Sequence, residues 1–156
     1  MSGTTTTAAA SNPLIAQGTL NRVAGRVVFA NLLALNVMPS NLGQRGISLR
    51  VTGEPTTMIE TMTGMITSPA PFVPVDVMIP LLRTQPLANA WQSQIVLYSV
   101  LGNVTIYTDA PTYSPYALNN VGVTAIGDQT FDGKEGTITY TLKGTLPINN
   151  QLWQLT

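Results

Sequence analysis

The chain contains neither cysteine nor histidine. Without cysteine there is no disulfide framework and no thiolate nucleophile, and without histidine the commonest metal ligand and general base is missing. The two absences exclude zinc sites built on these residues, Ser-His-Asp triads and Cys-His dyads. No G-x-S-x-G, G-x-x-x-x-G-K-S/T or G-x-G-x-x-G motif is present, so neither a nucleophile elbow nor a phosphate-binding loop is predicted. We therefore expect a protein that is not an enzyme and uses no cofactor or metal.

Charged residues are scarce. They make up 9% of the 156 residues, against about 25% in a typical soluble domain, and seven Lys and Arg balance seven Asp and Glu. A surface with few charges and no net charge tends to associate, so the composition favours a protein that is covered by copies of itself. Zero net charge also gives no global field to attract nucleic acid or an anionic membrane. A threonine-rich β monomer is the alternative that composition leaves open.

Long hydrophobic runs are also missing. The longest, at 27–35 and 95–101, are interrupted by polar residues and fall far short of the roughly 20 residues of a membrane-spanning helix. The first residues, MSGTTTTAAASNP, lack the basic and apolar regions of a secretory signal. We expect residues 1–19 to form a flexible N-terminal arm and residues 20–156 to form one domain, because a chain of this length needs a single core.

Short β-strand patterns, separated by turn residues, fill most of the chain. The segment 20–30 is rich in β-branched and aromatic residues, and 47–52 alternates Ile47, Leu49 and Val51 with polar side chains, which predicts a strand with one face in the core. Further strands are predicted at 104–108, 121–126 and 137–145, the last with Ile138, Tyr140 and Leu142 facing the core, and a proline-rich surface loop is predicted at 109–120.

A long hairpin is predicted near 56–79, around the turn sequence TSPAP at 67–71. Its second strand contains Pro74, which cannot donate a backbone hydrogen bond to a ladder. This favours a strand that pairs on one side only. The loop at 36–46 carries proline and glycine without a clear core stripe, so we expect the hairpin and this loop to contact a neighbouring subunit.

The helical pattern lies near 86–100. Leu87, Trp91 and Ile95 recur every four residues after Pro86, which suits a first turn. Trp91 is therefore expected in the core. The order of several strands, one helix and several strands predicts a mainly β fold of two packed antiparallel sheets, like a sandwich or barrel, with this helix on its flank.

Three of the seven carboxylates, Asp128, Asp132 and Glu135, lie within eight positions. The spacing D-Q-T-F-D-G does not fit a calcium-binding loop, because position four is hydrophobic and position twelve is not acidic. Asp-Gly at 132–133 is typical of a tight turn. A turn in front of the last strand is therefore favoured over a metal site. In the polar C-terminal segment, Trp153 is expected to anchor onto the domain or onto a neighbour.

Three segments carry a family resemblance. They are PLANAWQSQIVLYSV at 86–100, GNVTIYTDA at 102–110 and TITYTLKGTLP at 137–147. With the order of elements over about residues 20–147, they resemble the inner tail tube protein of contractile-tailed bacteriophages. The resemblance implies hexameric rings stacked into a tube, with sheath subunits outside and a lumen for the tape measure protein and for DNA that passes without specific binding. It also implies a place in the virion tail, assembled in the host cytoplasm.

The resemblance further implies which residues face the lumen and which contact other subunits. Because such lumens tend to be electronegative, Glu60 and Asp76 are lumen candidates on the methionine-bearing face of the predicted hairpin. Polar positions of the alternating strands are candidates for the lumen or the exterior: Ser48, Arg50 and Thr52, and also Thr137, Thr139, Thr141 and Lys143. Candidate inter-subunit contacts are Met38, Pro39, Met58, Met62, Met65, Asp128, Asp132 and Glu135.

Two other functions stay open. The first is another self-assembling virion protein, such as a tail terminator, a minor tail protein or a decoration protein. The second is a carbohydrate-binding β-sandwich, which would need exposed aromatic rings close to carboxylates. Tyr113 and Tyr116, in the segment DAPTYSPY, come closest to that arrangement.

Overall fold

Eight strands and one α-helix make up most of the regular structure of residues 14–154, the part of the chain that the computed structural model describes. Residues 1–13 of the predicted N-terminal arm lie outside the described residues. Three short 3-10 turns add Leu33–Leu35, Pro39–Asn41 and Asn150–Gln154. The main elements are β1 (Arg26–Phe29), β2 (Ser48–Val51), β3 (Thr56–Glu60), β4 (Met65–Pro69), β5 (Phe72–Leu82), α1 (Pro86–Leu97), β6 (Val100–Tyr107), β7 (Tyr116–Ile126) and β8 (Thr137–Pro147).

Six strands form one curled antiparallel sheet in the order β1-β6-β7-β8-β5-β2. The strands β3 and β4 form a separate two-stranded sheet. The longest pairing joins β5 to β8, from Phe72 opposite Pro147 to Leu82 opposite Thr137. The predicted class, a mainly β fold of sandwich or barrel type with one flanking helix, is confirmed.

The core lies on the inner face of the curled sheet, against α1. Trp91 is 1% exposed and packs edge-on against Phe29, with ring centres 5.5 Å apart, and against Tyr140 at 5.2 Å. Its Nε1–H donates a hydrogen bond of 3.1 Å to the carbonyl of Leu35, which provides the partner that a buried indole needs. The predictions that Trp91 lies in the core and that Ile138, Tyr140 and Leu142 face it are confirmed.

The strand β5 lies inside the sheet, between β8 and β2, which corrects the prediction that it pairs on one side only. Its prolines are tolerated because both face the β2 side just beyond the four residues that β2 pairs. There the Pro74 carbonyl accepts from the N–H of Thr52 at 2.9 Å, and the Pro80 carbonyl accepts from the N–H of Gly43 at 2.9 Å. Neither contact requires a donor on the proline.

The hairpin turn predicted at 67–71 is wrong. The chain reverses at Thr61–Gly64 instead, where the N–H of Thr61 donates to the Gly64 carbonyl at 2.8 Å and the N–H of Gly64 donates to the Thr61 hydroxyl at 3.0 Å. β3 pairs with β4 from Thr56 opposite Pro69 to Glu60 opposite Met65. Thr67, Ser68 and Pro69 of TSPAP belong to β4, and Ala70 and Pro71 join it to β5, whose buried valines pack in the core of the main sheet.

The loop 36–46 is attached to its own domain at two points, and its contact with a neighbouring subunit stays a prediction. Val37 is buried and exchanges two backbone hydrogen bonds with Val27, of 2.9 and 3.0 Å. Leu42 forms a bridge to Leu81 of β5. Met38 stays exposed between these two attachments.

Some details differ from the prediction. The helix ends at Leu97, because Tyr98 adopts an extended backbone and the chain enters β6. β7 begins at Tyr116, so the last part of the predicted 109–120 loop is strand that pairs with β6. Val51, at the end of β2, lies on the same face as its buried partner Val75, as predicted, but it is 43% exposed because β2 is the edge of the sheet.

Candidate functional site

The hairpin of β3 and β4 has no packing partner along its length in the described part of the chain. Every residue of both strands is exposed. Met58, Ile59, Met65 and Ile66 are between 47 and 59% exposed, and Met62 at the turn is fully exposed. Since neighbouring residues of a strand point to opposite faces, apolar side chains lie on both faces of the hairpin. A two-stranded sheet of this kind is marginally stable alone in water, so its apolar faces need a partner.

The base of the hairpin is attached to the segment after β8. The side-chain amide of Asn149 donates to the carbonyls of Ala70 at 2.8 Å and Pro55 at 3.2 Å. Next to it, the N–H of Ile148 donates to the carbonyl of Pro71 at 3.1 Å. Asn149 has a φ of 50°, a left-handed conformation that asparagine tolerates better than most residues. These bonds fix the point from which the hairpin leaves the domain.

A row of alternating charge crosses the outer face of the sheet. The register places Arg50 of β2 opposite Asp76 of β5, and Asp76 opposite Lys143 of β8. The row therefore carries one more positive than negative charge. Ser48 lies on the same face, opposite Met78, and the outward-facing threonines of β8 continue it: Thr137, Thr139, Thr141 and Thr145.

The predicted lumen residues are only partly brought together. Ser48, Arg50 and Asp76 share the outer face, and Thr52 follows at the end of the row with its hydroxyl donating to the Pro74 carbonyl at 3.0 Å. Glu60 lies in the hairpin instead. The expectation that Glu60 and Asp76 share one methionine-bearing hairpin face is wrong, because the strand with Asp76 belongs to the main sheet.

The acidic loop, residues 127–136, connects β7 to β8. Asp132 makes the predicted turn: its carboxylate accepts the N–H groups of Lys134 at 2.9 Å and Glu135 at 3.4 Å, and Gly133 follows with a φ of 78°. The hydrogen bond from the Lys134 backbone, more than any other contact, holds the pKa of Asp132 below its usual value. Asp128 and Glu135 are exposed in the same loop. Within residues 14–154, no three His, Cys, Asp or Glu side chains are grouped so that they could hold a metal ion.

Arg83, which directly follows β5, contacts the acidic loop and holds it in place. Its Nη1 donates to the carbonyl of Thr130 at 3.0 Å, and its guanidinium carbon lies 5.2 Å from the ring centre of Phe131. The N–H of Arg83 also donates to the Gly136 carbonyl at 3.0 Å. Phe131 nevertheless remains 83% exposed. The loop therefore holds an aromatic side chain outward between carboxylates.

A basic cleft of about 570 Å³ opens between the end of β6, the loop 36–46 and β2. β6 and β2 are separated by three strands in the sheet order, so the curl of the sheet brings them to opposite walls of one cleft. The guanidinium of Arg26 lies beside it, 4.0 Å above the ring of Tyr107. The charged lining residues are Arg22, Arg45 and Asp109, and the other lining residues include Leu42, Gln44, Ile47, Leu49, Ile106, Tyr107 and Tyr116. A second cleft of about 530 Å³ lies between α1 and the acidic loop.

The tyrosines considered for sugar binding contact each other. The hydroxyls of Tyr113 and Tyr116 are 2.5 Å apart and their ring centres 5.8 Å apart. The hydrogen bond to Tyr113 raises the pKa of Tyr116 above its usual value, with a further contribution from burial. Tyr116 shares the basic cleft with Asp109, so one aromatic ring does lie near a carboxylate. The ring of Tyr113 already covers part of the Tyr116 ring.

Exposed apolar side chains outnumber buried ones among the described residues. Twenty-two large apolar or aromatic side chains are exposed, against eighteen in the core. All five methionines of the described residues are exposed, which includes four of the predicted contacts: Met38, Met58, Met62 and Met65. Pro39, beside Met38, is half-buried. Methionine is adaptable and frequent at contact surfaces, so this distribution favours covering by a partner.

Sequence reasoning missed an apolar patch at the end of α1. Val96, Leu97 and Tyr98 are all exposed there. The signal was present, because four consecutive apolar residues at 95–98 cannot all face one side of a helix. Trp153 is 74% exposed, so the part of the prediction in which it anchors onto its own domain is wrong.

Comparison with protein-family models and with curated proteins found no match to this chain. In the part of the chain that is described, no helix has the length and apolar character needed to cross a membrane.

Proposed function

We propose that this protein is the structural subunit of a phage tail tube, in which copies form hexameric rings that stack around a lumen. DNA and the tape measure protein would pass through the lumen, and sheath subunits would surround the tube. The observation that carries the proposal is the hairpin of β3 and β4, which is ordered at its base and apolar on both faces. A second copy can supply the apolar surface that the hairpin lacks within its own domain.

The sheet edges support a closed assembly. Among residues 14–154, β2 is an edge strand that pairs with β5 alone, and β1 ends the other side of the sheet. Exposed edges are a route to uncontrolled aggregation, and their pairing around a ring removes that hazard. β1 is partly covered by Val37, which leaves β2 as the more open edge.

The composition of the outer face of the sheet is compatible with a surface that lines a lumen through which DNA passes. Its threonine hydroxyls carry no charge, and the row Arg50, Asp76, Lys143 has a net charge of only +1. Such a surface neither binds phosphate firmly nor repels it strongly. This differs from the electronegative lumen that the family resemblance implies, since Asp76 lies between two cations.

Electron microscopy and sedimentation of the full-length protein test the proposal directly. We expect rings or tubes about 80 Å wide, the size that six compact domains of this length around a pore would give. A protein that stays monomeric at concentrations of about 100 μM, above the range of most specific self-association, would contradict the proposal. Rings that never stack would favour a tail terminator or another ring-forming virion protein.

Sugar binding is the competing function, and the basic cleft is the place for it. Tyr107 and Tyr116 line the cleft together with Asp109. One face of Tyr107 is covered by Arg26, and Tyr116 packs against Tyr113. Both rings therefore already have partners, which disfavours them as platforms for a sugar ring. If a monomer bound an oligosaccharide, sugar binding would be favoured over the tube proposal.

A further inference from the structure

The few charges of this chain are concentrated at two places of opposite sign. The basic cleft contains Arg22 and Arg45 against Asp109. The acidic loop contains three carboxylates against Lys134, a net charge of −2 within the loop itself and of −1 together with the adjoining Arg83. Together these two places hold seven of the fourteen charged side chains. In a protein that uses charge so sparingly, this separation indicates two surfaces that complement each other.

The two surfaces also match in polarity, and the cleft is large enough to hold a side chain. The acidic loop presents Phe131 outward, 83% exposed, between Asp128 and Glu135. The basic cleft offers apolar side chains, Leu49 and Ile106 among them, next to its two arginines. Its volume of about 570 Å³ lies within the roughly 300–1,000 Å³ typical of sites that hold a ligand. An aromatic side chain and flanking carboxylates would fit such a site.

The acidic loop does not occupy the cleft of its own chain. None of the residues that line the basic cleft belongs to the loop. The loop is held elsewhere, by the hydrogen bond from Arg83 to Thr130 and by its position beside α1. A loop of another copy is therefore the partner that the cleft can accept.

We propose that the acidic loop of one copy docks into the basic cleft of the next copy, with Phe131 entering the cleft and Asp128 and Glu135 pairing with Arg22 and Arg45. This inference deepens the proposed function and rests on it, because it names the lateral contact within a ring. The two surfaces differ, so the interface is head-to-tail. A head-to-tail interface generates a ring when its rotation closes.

A charge-swap experiment on the full-length protein tests the contact. The variant Arg22→Glu/Arg45→Glu reverses the cleft, and Asp128→Arg/Glu135→Arg reverses the loop while it preserves the turn made by Asp132. Each variant is expected to weaken self-association about tenfold to a hundredfold in sedimentation, because like charges then meet. The chain that carries all four changes should recover most of the loss. An equimolar mixture of the two double variants should also associate, because alternating copies place the native loop against the native cleft and the arginine-bearing loop against the glutamate-bearing cleft.

The matched control changes the charge of the outer face. Arg50→Gln/Lys143→Gln removes two cations there and is expected to leave association unchanged, whereas Arg22→Gln/Arg45→Gln weakens it. Circular dichroism confirms that each variant is folded. High salt should weaken association of the wild type more than that of the cleft variant, because exposed ion pairs are screened.

The outcomes separate this inference from the proposed function. A wild-type protein that never associates contradicts both. Wild-type rings that persist in both double variants overturn the loop-cleft contact and leave the tube proposal standing. Loss in both variants without recovery in the four-residue swap also overturns the pairing, because the two surfaces would then contact different partners.

Discussion

At the scale of single residues, Asn149 connects two parts of the chain that are far apart in sequence. Its side-chain amide donates to the carbonyls of Pro55 and Ala70, at the two ends of the hairpin. Its left-handed backbone brings the amide to that position. The residue thus determines where a surface element leaves the domain without being part of the core.

We predict that Asn149→Gly loosens the hairpin and leaves the domain folded. Glycine accepts the left-handed backbone, so only the two hydrogen bonds are lost, each worth about 0.5–1.5 kcal/mol. Hydrogen exchange at the amides of β3 should become faster, while exchange in β5 and β8 stays unchanged. Asn149→Ala adds backbone strain and should have a larger effect. Unchanged exchange in the glycine variant would contradict a role for the amide.

The two tryptophans allow a matched comparison. We predict that Trp91→Phe lowers the free energy of unfolding by about 2–4 kcal/mol, because it leaves a cavity and an unpaired Leu35 carbonyl. Trp153→Phe, on an exposed residue, should change it by less than about 0.5 kcal/mol. Urea denaturation followed by circular dichroism measures both. Equal effects would mean that Trp91 is not the centre of the core.

At the scale of elements, the hairpin of β3 and β4 has little within its own domain to stabilise it beyond its own pairing and the hydrogen bonds at its base. We predict that Met58→Ser/Met62→Ser/Met65→Ser leaves the monomer folded and weakens assembly at least about tenfold, since each exposed methionine would otherwise bury apolar area. Sedimentation and circular dichroism provide the two measurements. Met78→Ser, an exposed methionine on the outer face, is the control and should assemble normally. Equal loss in both variants would contradict a special role for the hairpin.

Alternating patterns made the central strands predictable, whereas turns and edges were less so. Ile138, Tyr140 and Leu142 are buried as expected, because a period of two places them on one face of a strand with neighbours on both sides. The hairpin turn was misplaced because the prolines of TSPAP give a stronger local signal than Thr61–Gly64. β5 pairs with β8, which is distant in sequence, and not with the strand just before TSPAP. A local sequence pattern does not indicate such long-range pairing.

The candidate contact surfaces were predictable in part for similar reasons. The methionines were identified from their residue type, and all of the predicted ones are exposed. The basic cleft was not predicted, because Arg22 lies beside Asp109 through the pairing of β1 with β6, and Arg45 reaches the same place only through the curl of the sheet. The prediction that Glu60 and Asp76 share one face was wrong because it depended on the misplaced hairpin turn.

At the scale of the whole molecule, the exposed surface combines much apolar area with little charge. Burial of such area becomes more favourable on warming, because the hydrophobic contribution is entropic near room temperature. We predict that self-association strengthens between about 5 and 25 °C and shows a negative heat-capacity change. Dilution calorimetry at several temperatures measures this. An association that weakens steadily on warming would indicate that polar contacts dominate instead.

The two prolines of β5, Pro74 and Pro80, limit the registers in which the edge strand β2 can pair with β5. β2 pairs between Pro74 and Pro80, and a slip of two residues in either direction would set one of its residues opposite a ring nitrogen that has no hydrogen to donate. In the observed alignment all four residues of β2 lie opposite residues that carry an N–H, which favours this alignment over the slipped ones. Because β2 is held in one register, its open edge presents the same backbone donors and acceptors in every copy. Identical copies can then join with identical geometry.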